Sequence, residues 1–204
     1  MKNFHLLDYG VGNIGSLLGM IESLGLAASL TDRRAEILES PLLVLPGVGS
    51  AQTAMRRLEA DGLLDPLRER HALGRPILGI CLGAQLLFET LEESGSAGIG
   101  FLRGTVARLA GAAKFHTGWS RLDWDEFHGL GLTTALKPAD SFFFNHQYVL
   151  PRASIPRSAT VAGRPHIPAL YLHEHLCGIQ FHPEKSQAQG RLLLRNLIHR
   201  HYGL

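Results

Sequence analysis

Two short apolar runs place the strongest constraint on the fold of this 204-residue chain. Residues 42–45 read Leu-Leu-Val-Leu and residues 76–80 read Pro-Ile-Leu-Gly-Ile, without the polar alternation of a half-exposed strand. Strands of this kind are buried on both faces, as in a parallel sheet. Segments with helical spacing of their apolar residues lie around these runs, for example at residues 14–24 and 51–71. The alternation therefore predicts a parallel sheet with helices on both faces.

The second half of the chain differs, because strand-like segments follow one another there with few helices between them. The predicted strands are at residues 4–7, 26–30, 42–45, 76–80, 101–109, 141–150, 159–163, 169–172 and 177–181. The predicted helices are at 14–24, 33–39, 51–71 with a break near Gly62, 84–92 and 188–201. We expect an α/β fold: an open, mostly parallel twisted sheet with helices on both faces and an antiparallel or mixed extension. No repeat or linker divides the sequence, which predicts a single domain over residues 1–204.

Composition argues against several classes of protein. Twenty lysines and arginines against 18 aspartates and glutamates give a net charge of +2, which is less basic than a dedicated nucleic-acid-binding protein. The longest apolar stretch, residues 77–88, is shorter than the roughly 20 residues that a membrane-spanning helix requires. The two cysteines, Cys81 and Cys177, fit free thiols in a reducing compartment. We expect a cytoplasmic protein that binds neither nucleic acid nor membrane.

Two histidine-rich segments could be fragments of a metal site. They are His173-Glu174-His175 and His199-Arg200-His201. No cluster of cysteines or histidines with zinc spacing completes either of them. We therefore expect surface histidines there, and neither a metal nor a cofactor.

Gly10-Val11-Gly12-Asn13-Ile14-Gly15 matches the dinucleotide-binding pattern G-x-G-x-x-G, and Asp32 follows at a suitable distance. Asp8 and Tyr9 crowd this turn, Asn13 occupies a natural helix N-cap position, and the second half of the chain offers no matching mononucleotide unit. The alternative is a strand-to-helix turn that needs glycine for its backbone conformation alone. The sequence favours this alternative.

Gly79-Ile80-Cys81-Leu82-Gly83 has the pattern of a nucleophile elbow with cysteine in place of serine. The flanking glycines let the chain turn sharply between a strand and a helix, and the helix N-terminus favours a thiolate. Cys81 is therefore predicted to be a reactive nucleophile, although a small buried hydrophobic residue remains the alternative. Cys177 is expected to lie in the core.

A cysteine nucleophile needs a base and an oxyanion hole. In the extended segment Phe181-His182-Pro183-Glu184, residues two apart face the same way, so Glu184 can orient the His182 ring. Residues 43–49 supply a strand followed by Gly47, Val48 and Gly49, whose amides could hold an oxyanion.

These motifs resemble the class I, or triad, glutamine amidotransferases. The segments that carry the resemblance are Gly79 to Gln85, Pro46 to Gly49 and Gln180 to Ser186. The resemblance implies hydrolysis of L-glutamine to glutamate and ammonia through a cysteine thioester, with no cofactor. By it Cys81 is the nucleophile, His182 the base and Glu184 its orienting acid. Oxyanion and substrate contacts are implied for Gly47, Val48, Gly49, Leu82, Gln85, His146, Gln147 and Tyr148.

Within that class, three further segments resemble the glutaminase subunits of imidazole glycerol phosphate synthase: residues 8–13, 116–119 and 144–148. This resemblance implies a heterodimer with a (β/α)₈ cyclase subunit, which receives the ammonia for histidine biosynthesis. Phe115, Ser120 and Asn145 depart from the usual pattern of those subunits. A glutaminase that supplies ammonia to a sugar-modifying enzyme of surface polysaccharides is therefore the alternative.

Overall fold

The structure is a computed structural model that describes residues 3–110, 114–127 and 129–204. The strands are β1 (Phe4–Leu7), β2 (Ala28–Thr31), β3 (Leu43–Leu45), β4 (Ile77–Ile80), β5 (Phe88–Leu91), β6 (Ser96–Ala97), β7 (Leu102–Arg108), β8 (His116–Asp123), β9 (Ser141–His146), β10 (Tyr148–Val149), β11 (Arg157–Val161), β12 (Arg164–His173) and β13 (Leu176–Ile179). The α-helices are α1 (Ile14–Ser23), α2 (Arg34–Glu39), α3 (Ala51–Ala60), α4 (Leu64–Ala72), α5 (Leu82–Leu86) and α6 (Gln187–Asn196).

A nine-stranded sheet in the order β2-β1-β3-β4-β13-β12-β11-β8-β9 forms the centre of the fold. The strands from β2 to β13 pair in parallel, and those from β13 to β9 pair antiparallel. A smaller sheet has the order β10-β7-β5-β6. The expected fold class, a parallel sheet with an antiparallel extension, is confirmed.

Apolar side chains of the central strands point alternately to two cores. Val44 and Leu78 join the core that α1 and α6 cover, together with Leu17 and Leu193. Leu43, Leu45 and Ile77 join the second core, which α2, α3 and α4 cover and which also holds apolar residues of the smaller sheet. Both faces of the parallel sheet are thus buried, as continuous apolar strands require.

The predicted helix over residues 84–92 is wrong beyond its first turn. Helix α5 ends at Leu86 and β5 follows directly. The helix stops because the Leu86 carbonyl accepts from Ile99 N–H, at 2.7 Å, and the Leu87 carbonyl accepts from Phe101 and Leu102 N–H, both at 2.9 Å. Periodicity alone cannot distinguish a short buried helix from a buried strand.

Two further predictions need correction, and one strand was not predicted. The single strand predicted over residues 141–150 is two strands, β9 in the large sheet and β10 in the small one. Strand β8 was missed by the sequence prediction. One of its faces is exposed and carries polar residues, and the strand includes Gly118. The last helix, predicted over residues 188–201, is α-helical only to Asn196 and ends in a π-helical turn over Leu197–His201.

Two glycines allow the chain to turn tightly at the end of β4. A Cβ atom on Gly79 would lie 2.6 Å from the Ala84 Cα atom, and one on Gly83 would lie 1.8 Å from the Leu45 carbonyl oxygen. These obstacles are backbone atoms that cannot rotate away. Glycine is therefore required on both sides of Cys81 by the close packing of the turn against β3 and α5.

Gly83→Ala should lower the free energy of unfolding by about 2 kcal/mol or more, because the added methyl group overpacks against the strand backbone. Gly19→Ala is the matched control: Gly19 lies in α1 with open space around its Cα, so this change should stabilise the protein by about 0.5–1 kcal/mol. Urea unfolding of the two variants tests the pair. Equal stabilities would contradict the steric interpretation.

Candidate functional site

The sequence-predicted site residues lie at one edge of the sheet. Cys81 follows β4, His182 lies three residues beyond β13, and Gly47 lies two residues beyond β3. These strands are neighbours and run in parallel, so their carboxyl ends meet at the same edge, where binding sites of α/β folds gather.

Cys81 occupies a strained turn between β4 and α5. Its φ angle is +53°, a left-handed conformation that is costly for a residue other than glycine. Its N–H donates to the Ile179 carbonyl at 2.6 Å, and the residue is 6% exposed. The strain, combined with the flanking glycines, is typical of a nucleophile elbow.

The His182 ring lies between Cys81 and Glu184. Its Nδ1 is 2.9 Å from Glu184 Oε1, and both side chains are only 4% exposed. Burial by itself lowers the pKa of His182, but hydrogen bonds with Cys81 and Glu184 more than offset this effect and raise the pKa from 6.5 to about 10. The ring is therefore protonated at neutral pH, which places a cation beside the Cys81 side chain.

Strand β9 holds the segment that carries His182. The His182 N–H donates to the Phe143 carbonyl at 2.9 Å, and the Phe143 N–H donates to Ser186 Oγ at 2.9 Å. The Ser186 hydroxyl in turn donates to the His182 carbonyl at 2.6 Å. The backbone at His182, the predicted base, is thus fixed to the edge strand of the large sheet.

The loop after β3 packs against the elbow. The Leu82 N–H, a predicted oxyanion donor, donates to the Gly47 carbonyl at 3.3 Å, and the Tyr9 hydroxyl donates to the Pro46 carbonyl at 2.5 Å. Gly49 has a φ angle of +94°. In this arrangement the Leu82 amide is engaged by the loop rather than directed at an open position.

A cavity of about 320 Å³ opens beside Cys81. Nine of the sequence-predicted residues reach its wall: Val48, Gly49, Cys81, Leu82, Gln85, His146, Gln147, Tyr148 and His182. Five residues that were not among the predicted site residues also line it: Asn13, Glu93, Phe115, Asn145 and Lys185. The position of Lys185, three residues after His182, could have indicated that it lies at the site, whereas Glu93 directly follows a segment predicted as a helix.

Gly47 and Glu184, the other two predicted residues of this region, do not line that cavity. They line a smaller one of about 10 Å³, which Val48 and His182 also line.

A hydrogen-bonded pair of buried histidines supports one wall of the cavity. His146 Nδ1 lies 2.7 Å from the Tyr148 carbonyl, and its Nε2 lies 3.1 Å from His116 Nδ1. Ser120 Oγ lies 2.9 Å from His116 Nε2. Burial lowers the pKa of both rings to about 4, so both are neutral at pH 7. Because both ring nitrogens of His146 are engaged, this residue holds the Tyr148 carbonyl in place.

The first four residues of the dinucleotide-like pattern form the turn before α1, and its last two, Ile14 and Gly15, begin that helix. Gly10 and Gly12 have positive φ angles, of 70° and 140°, and Asp32 is exposed. Asn13 precedes the helix and reaches the cavity beside Cys81. The positive φ angles account for two of the glycines by backbone conformation.

The second cysteine and the two histidine-rich segments, residues 173–175 and 199–201, lie outside the cavity wall. Cys177 is fully buried in the core, as predicted, and burial raises the pKa of its thiol. His175 is half-buried, with Nε2 2.8 Å from His71 Nδ1, whereas His199 and His201 are exposed. Among the residues that the structure describes, no three His, Cys, Asp or Glu side chains are grouped so as to hold a metal ion. No helix within that part of the chain is long and apolar enough to cross a membrane.

Comparison with known proteins agrees with this geometry. The sequence profile of the family Glutamine amidotransferase class-I matches residues 5–200. Imidazole glycerol phosphate synthase subunit HisH of Microcystis aeruginosa is 37% identical over 198 residues, which cover 95% of this chain and 93% of the relative. The subunit of the same name from Moorella thermoacetica is 36% identical over 211 residues and covers 100% and 98%.

Solved structures match the fold over nearly its whole length. A crystal structure of a glutamine amidotransferase superposes with a TM-score of 0.73 at 21% identity, over 98% of this chain and 99% of that one. The structure of PurLQS from Thermotoga maritima superposes with a TM-score of 0.67 at 19% identity, over 97% and 98%. At these identities the likeness concerns the fold alone.

Glu184→Gln should lower the pKa of His182 below its value of about 10, because a neutral amide stabilises the imidazolium less than a carboxylate does. NMR titration of the ring measures the shift. Glu89→Gln is the control, since Glu89 is exposed and accepts from the Gly104 N–H in the smaller sheet. An unchanged His182 titration in Glu184→Gln would show that the carboxylate does not control the charge of the ring.

Proposed function

The chain belongs to the Glutamine amidotransferase class-I family, and from that premise we propose that it is the glutaminase subunit of imidazole glycerol phosphate synthase. Its relatives in Microcystis aeruginosa and Moorella thermoacetica carry the name of that subunit. The observation that carries the proposal is a buried Cys81, His182 and Glu184 set at the head of a 320 Å³ cavity. The reaction is hydrolysis of L-glutamine to glutamate and ammonia.

The cavity offers charged groups suited to the two ends of an amino acid. Glu93 would bind the α-ammonium group of glutamine, and Lys185 would bind the α-carboxylate. Glu93 is held in place because its Oε2 accepts from the Ala51 N–H at 3.0 Å. The Gln85 side-chain NH₂ group donates to the Tyr148 carbonyl and to Gln180. Only the carboxamide oxygen of Gln85 is therefore left for contact with the substrate.

The catalytic steps use the charge of the Cys81 and His182 pair. The Cys81 thiolate attacks the side-chain carbonyl carbon of glutamine, and the negative charge passes to the carbonyl oxygen. When the C–N bond breaks, the His182 imidazolium gives its proton to the leaving group, which departs as ammonia. Water, deprotonated by the now neutral His182, then attacks the γ-glutamyl thioester; the C–S bond breaks, glutamate is released, and the Cys81 thiolate and His182 imidazolium are regenerated.

The oxyanion site requires a change in the loop after β3. Rotation of the Gly47–Val48 peptide would release the Leu82 N–H from the Gly47 carbonyl and direct the Val48 N–H towards the substrate oxygen. With this hole closed, we expect slow glutamine hydrolysis by the subunit alone. Engagement of the partner would favour the open arrangement.

Two exposed aromatic side chains lie in the segment that begins at the cavity wall with Phe115 and continues into β8. Phe115, which lines the cavity, is 58% exposed, and Trp119 on the adjoining strand β8 is 46% exposed. Exposed aromatic residues of this kind are typical anchors of protein interfaces. We assign this face to a (β/α)₈ cyclase subunit, which would take up ammonia as it leaves the cavity. The resulting heterodimer would act in the cytoplasm in histidine biosynthesis.

Cys81→Ala should abolish glutamine hydrolysis while leaving the fold intact, because the thioester cannot form. Cys177→Ala is the matched control, since it removes the other thiol from the core and not from the cavity; it should keep its activity. Glutamate release is measured for both variants. An unchanged rate in Cys81→Ala would overturn the assignment of the nucleophile.

A candidate cyclase subunit with its nucleotide substrate should stimulate glutamate release by about tenfold or more, which is within the usual range of coupling between sites. Trp119→Ala should weaken binding of that subunit by about 30-fold, as for the loss of an interface anchor. Leu73→Ala is the control, because Leu73 is a 55% exposed apolar residue that caps α4 and does not belong to β8. Absence of stimulation would favour the sugar-modifying alternative.

A further inference from the structure

Gln180 is a fully buried polar residue whose side chain reaches the nucleophile. Its Nε2 lies 4.0 Å from Cys81 Sγ. Its backbone is fixed, because its N–H donates to the Ala169 carbonyl at 2.8 Å and the preceding residue, Ile179, accepts from the Cys81 N–H at 2.6 Å. Cys81 and Gln180 thus directly follow two paired strands, β4 and β13, whose last residues are opposite each other.

The orientation of the Gln180 carboxamide follows from its neighbour Gln85. The Tyr148 carbonyl only accepts hydrogen bonds, so the Gln85 atom 3.1 Å from it must be the NH₂ group. The same NH₂ group donates to Gln180 at 3.0 Å, which must therefore present its oxygen, Oε1. The NH₂ group of Gln180 is left to face Cys81 Sγ. Reversal of either amide would place two acceptors or two donors against each other.

The pair of His116 and His146 fixes the first proton positions in this series of hydrogen bonds. His146 Nδ1 must donate to the Tyr148 carbonyl, so the neutral ring accepts at Nε2 from His116 Nδ1. His116 Nε2 then accepts from the Ser120 hydroxyl. Each hydrogen bond between Ser120 and the Tyr148 carbonyl thus has one possible donor and one possible acceptor. The Tyr148 carbonyl also accepts from Gln85. The wall of the cavity is therefore a single hydrogen-bonded network that ends at the cysteine sulfur.

We propose that Gln180 is a catalytic hydrogen-bond donor to the Cys81 sulfur, held in its donating orientation by Gln85. The proposal rests on the proposed role of Cys81 as the nucleophile of glutamine hydrolysis. The sulfur carries negative charge in the attacking thiolate. It carries negative charge again when the C–S bond of the thioester breaks and the electron pair returns to Sγ. A hydrogen bond to a charged acceptor is shorter and stronger than one to a neutral acceptor, so the N–H group stabilises the sulfur most at these two points.

This role is separate from that of the oxyanion donors. The amides near Val48 would bind the substrate oxygen, whereas Gln180 binds the sulfur and lies behind it: Gln180 is fully buried and is not among the residues that line the cavity. Loss of its N–H group should therefore lower the reactivity of the sulfur even towards a reagent that has no oxyanion. It should lower kcat for glutamine with little change in KM.

The experiment compares Gln180→Met, which keeps the length of the side chain without a donor, with Gln180→Glu. The glutamate variant keeps an acceptor for Gln85 but presents an anionic oxygen to the sulfur. For each variant we would measure alkylation of Cys81 by iodoacetamide at pH 7, followed by peptide mass, and the kcat and KM of glutamine hydrolysis. Gln189→Met is the control, because Gln189 also donates through its side chain, at 2.8 Å to the Ser141 carbonyl.

We expect alkylation and kcat to fall about tenfold or more in Gln180→Met and further in Gln180→Glu, with KM and the Gln189→Met values unchanged. Wild-type alkylation rates in both Gln180 variants would overturn the proposal, as would a loss confined to KM. If Gln180→Met does not fold, the Gln180→Glu result decides. A wild-type protein that neither hydrolyses glutamine nor reacts at Cys81 would refute the proposed function instead.

Discussion

The parallel pairing of β4 with β13 is the interaction on which the site depends. Ile80 pairs with Ile179 at the ends of these strands, and the Cys81 N–H continues the ladder to the Ile179 carbonyl. Cys81 and Gln180, the first residues after the two strands, therefore lie side by side at the same edge of the sheet. Cys81 turns sharply into α5, while the chain beyond Ile179 continues past it and brings Gln180 and then His182 to the sulfur. A slip of one residue would turn every side chain of one strand to the other face of the sheet and would separate Cys81 from His182.

Strand β9 connects the proposed partner face to the base. The Phe143 ring packs edge to face against Trp119, with centroids 5.8 Å apart, while the Phe143 backbone bonds with both His182 and Ser186. Two strand positions further on, Asn145 lines the cavity, and His146 supports the Tyr148 carbonyl. One strand thus carries an exposed aromatic contact on one face and positions the base through its backbone. A partner that binds at Trp119 would contact the same strand that fixes His182.

The sequence predicted the parallel half of the fold and the elements beside Cys81, because apolar runs, helical spacing and flanking glycines are local signals. The smaller sheet could not be predicted in the same way. Strand β5 lies where a helix was expected, and the helix ends before it because the Leu86 and Leu87 carbonyls bond with residues more than ten positions away, such as Ile99 and Phe101. Glu93 was not expected at the cavity for a related reason: its segment carries no motif, and only the packing of distant elements brings it to the wall beside Cys81.

The choice of base among eleven histidines shows what decides the charge of a buried ring. His116, His146 and His182 are all buried, and burial opposes protonation in each. His146 bonds only with neutral groups, the Tyr148 carbonyl and His116, and its pKa falls to about 4. His182 has Glu184 and Cys81 as partners, and its pKa rises to about 10. The carboxylate two positions after His182 is visible in the sequence, whereas the neutral network of His146 depends on a residue 30 positions away. Local spacing could therefore identify the charged histidine, but the neutral ones, which orient the carbonyl behind Gln85, required the fold.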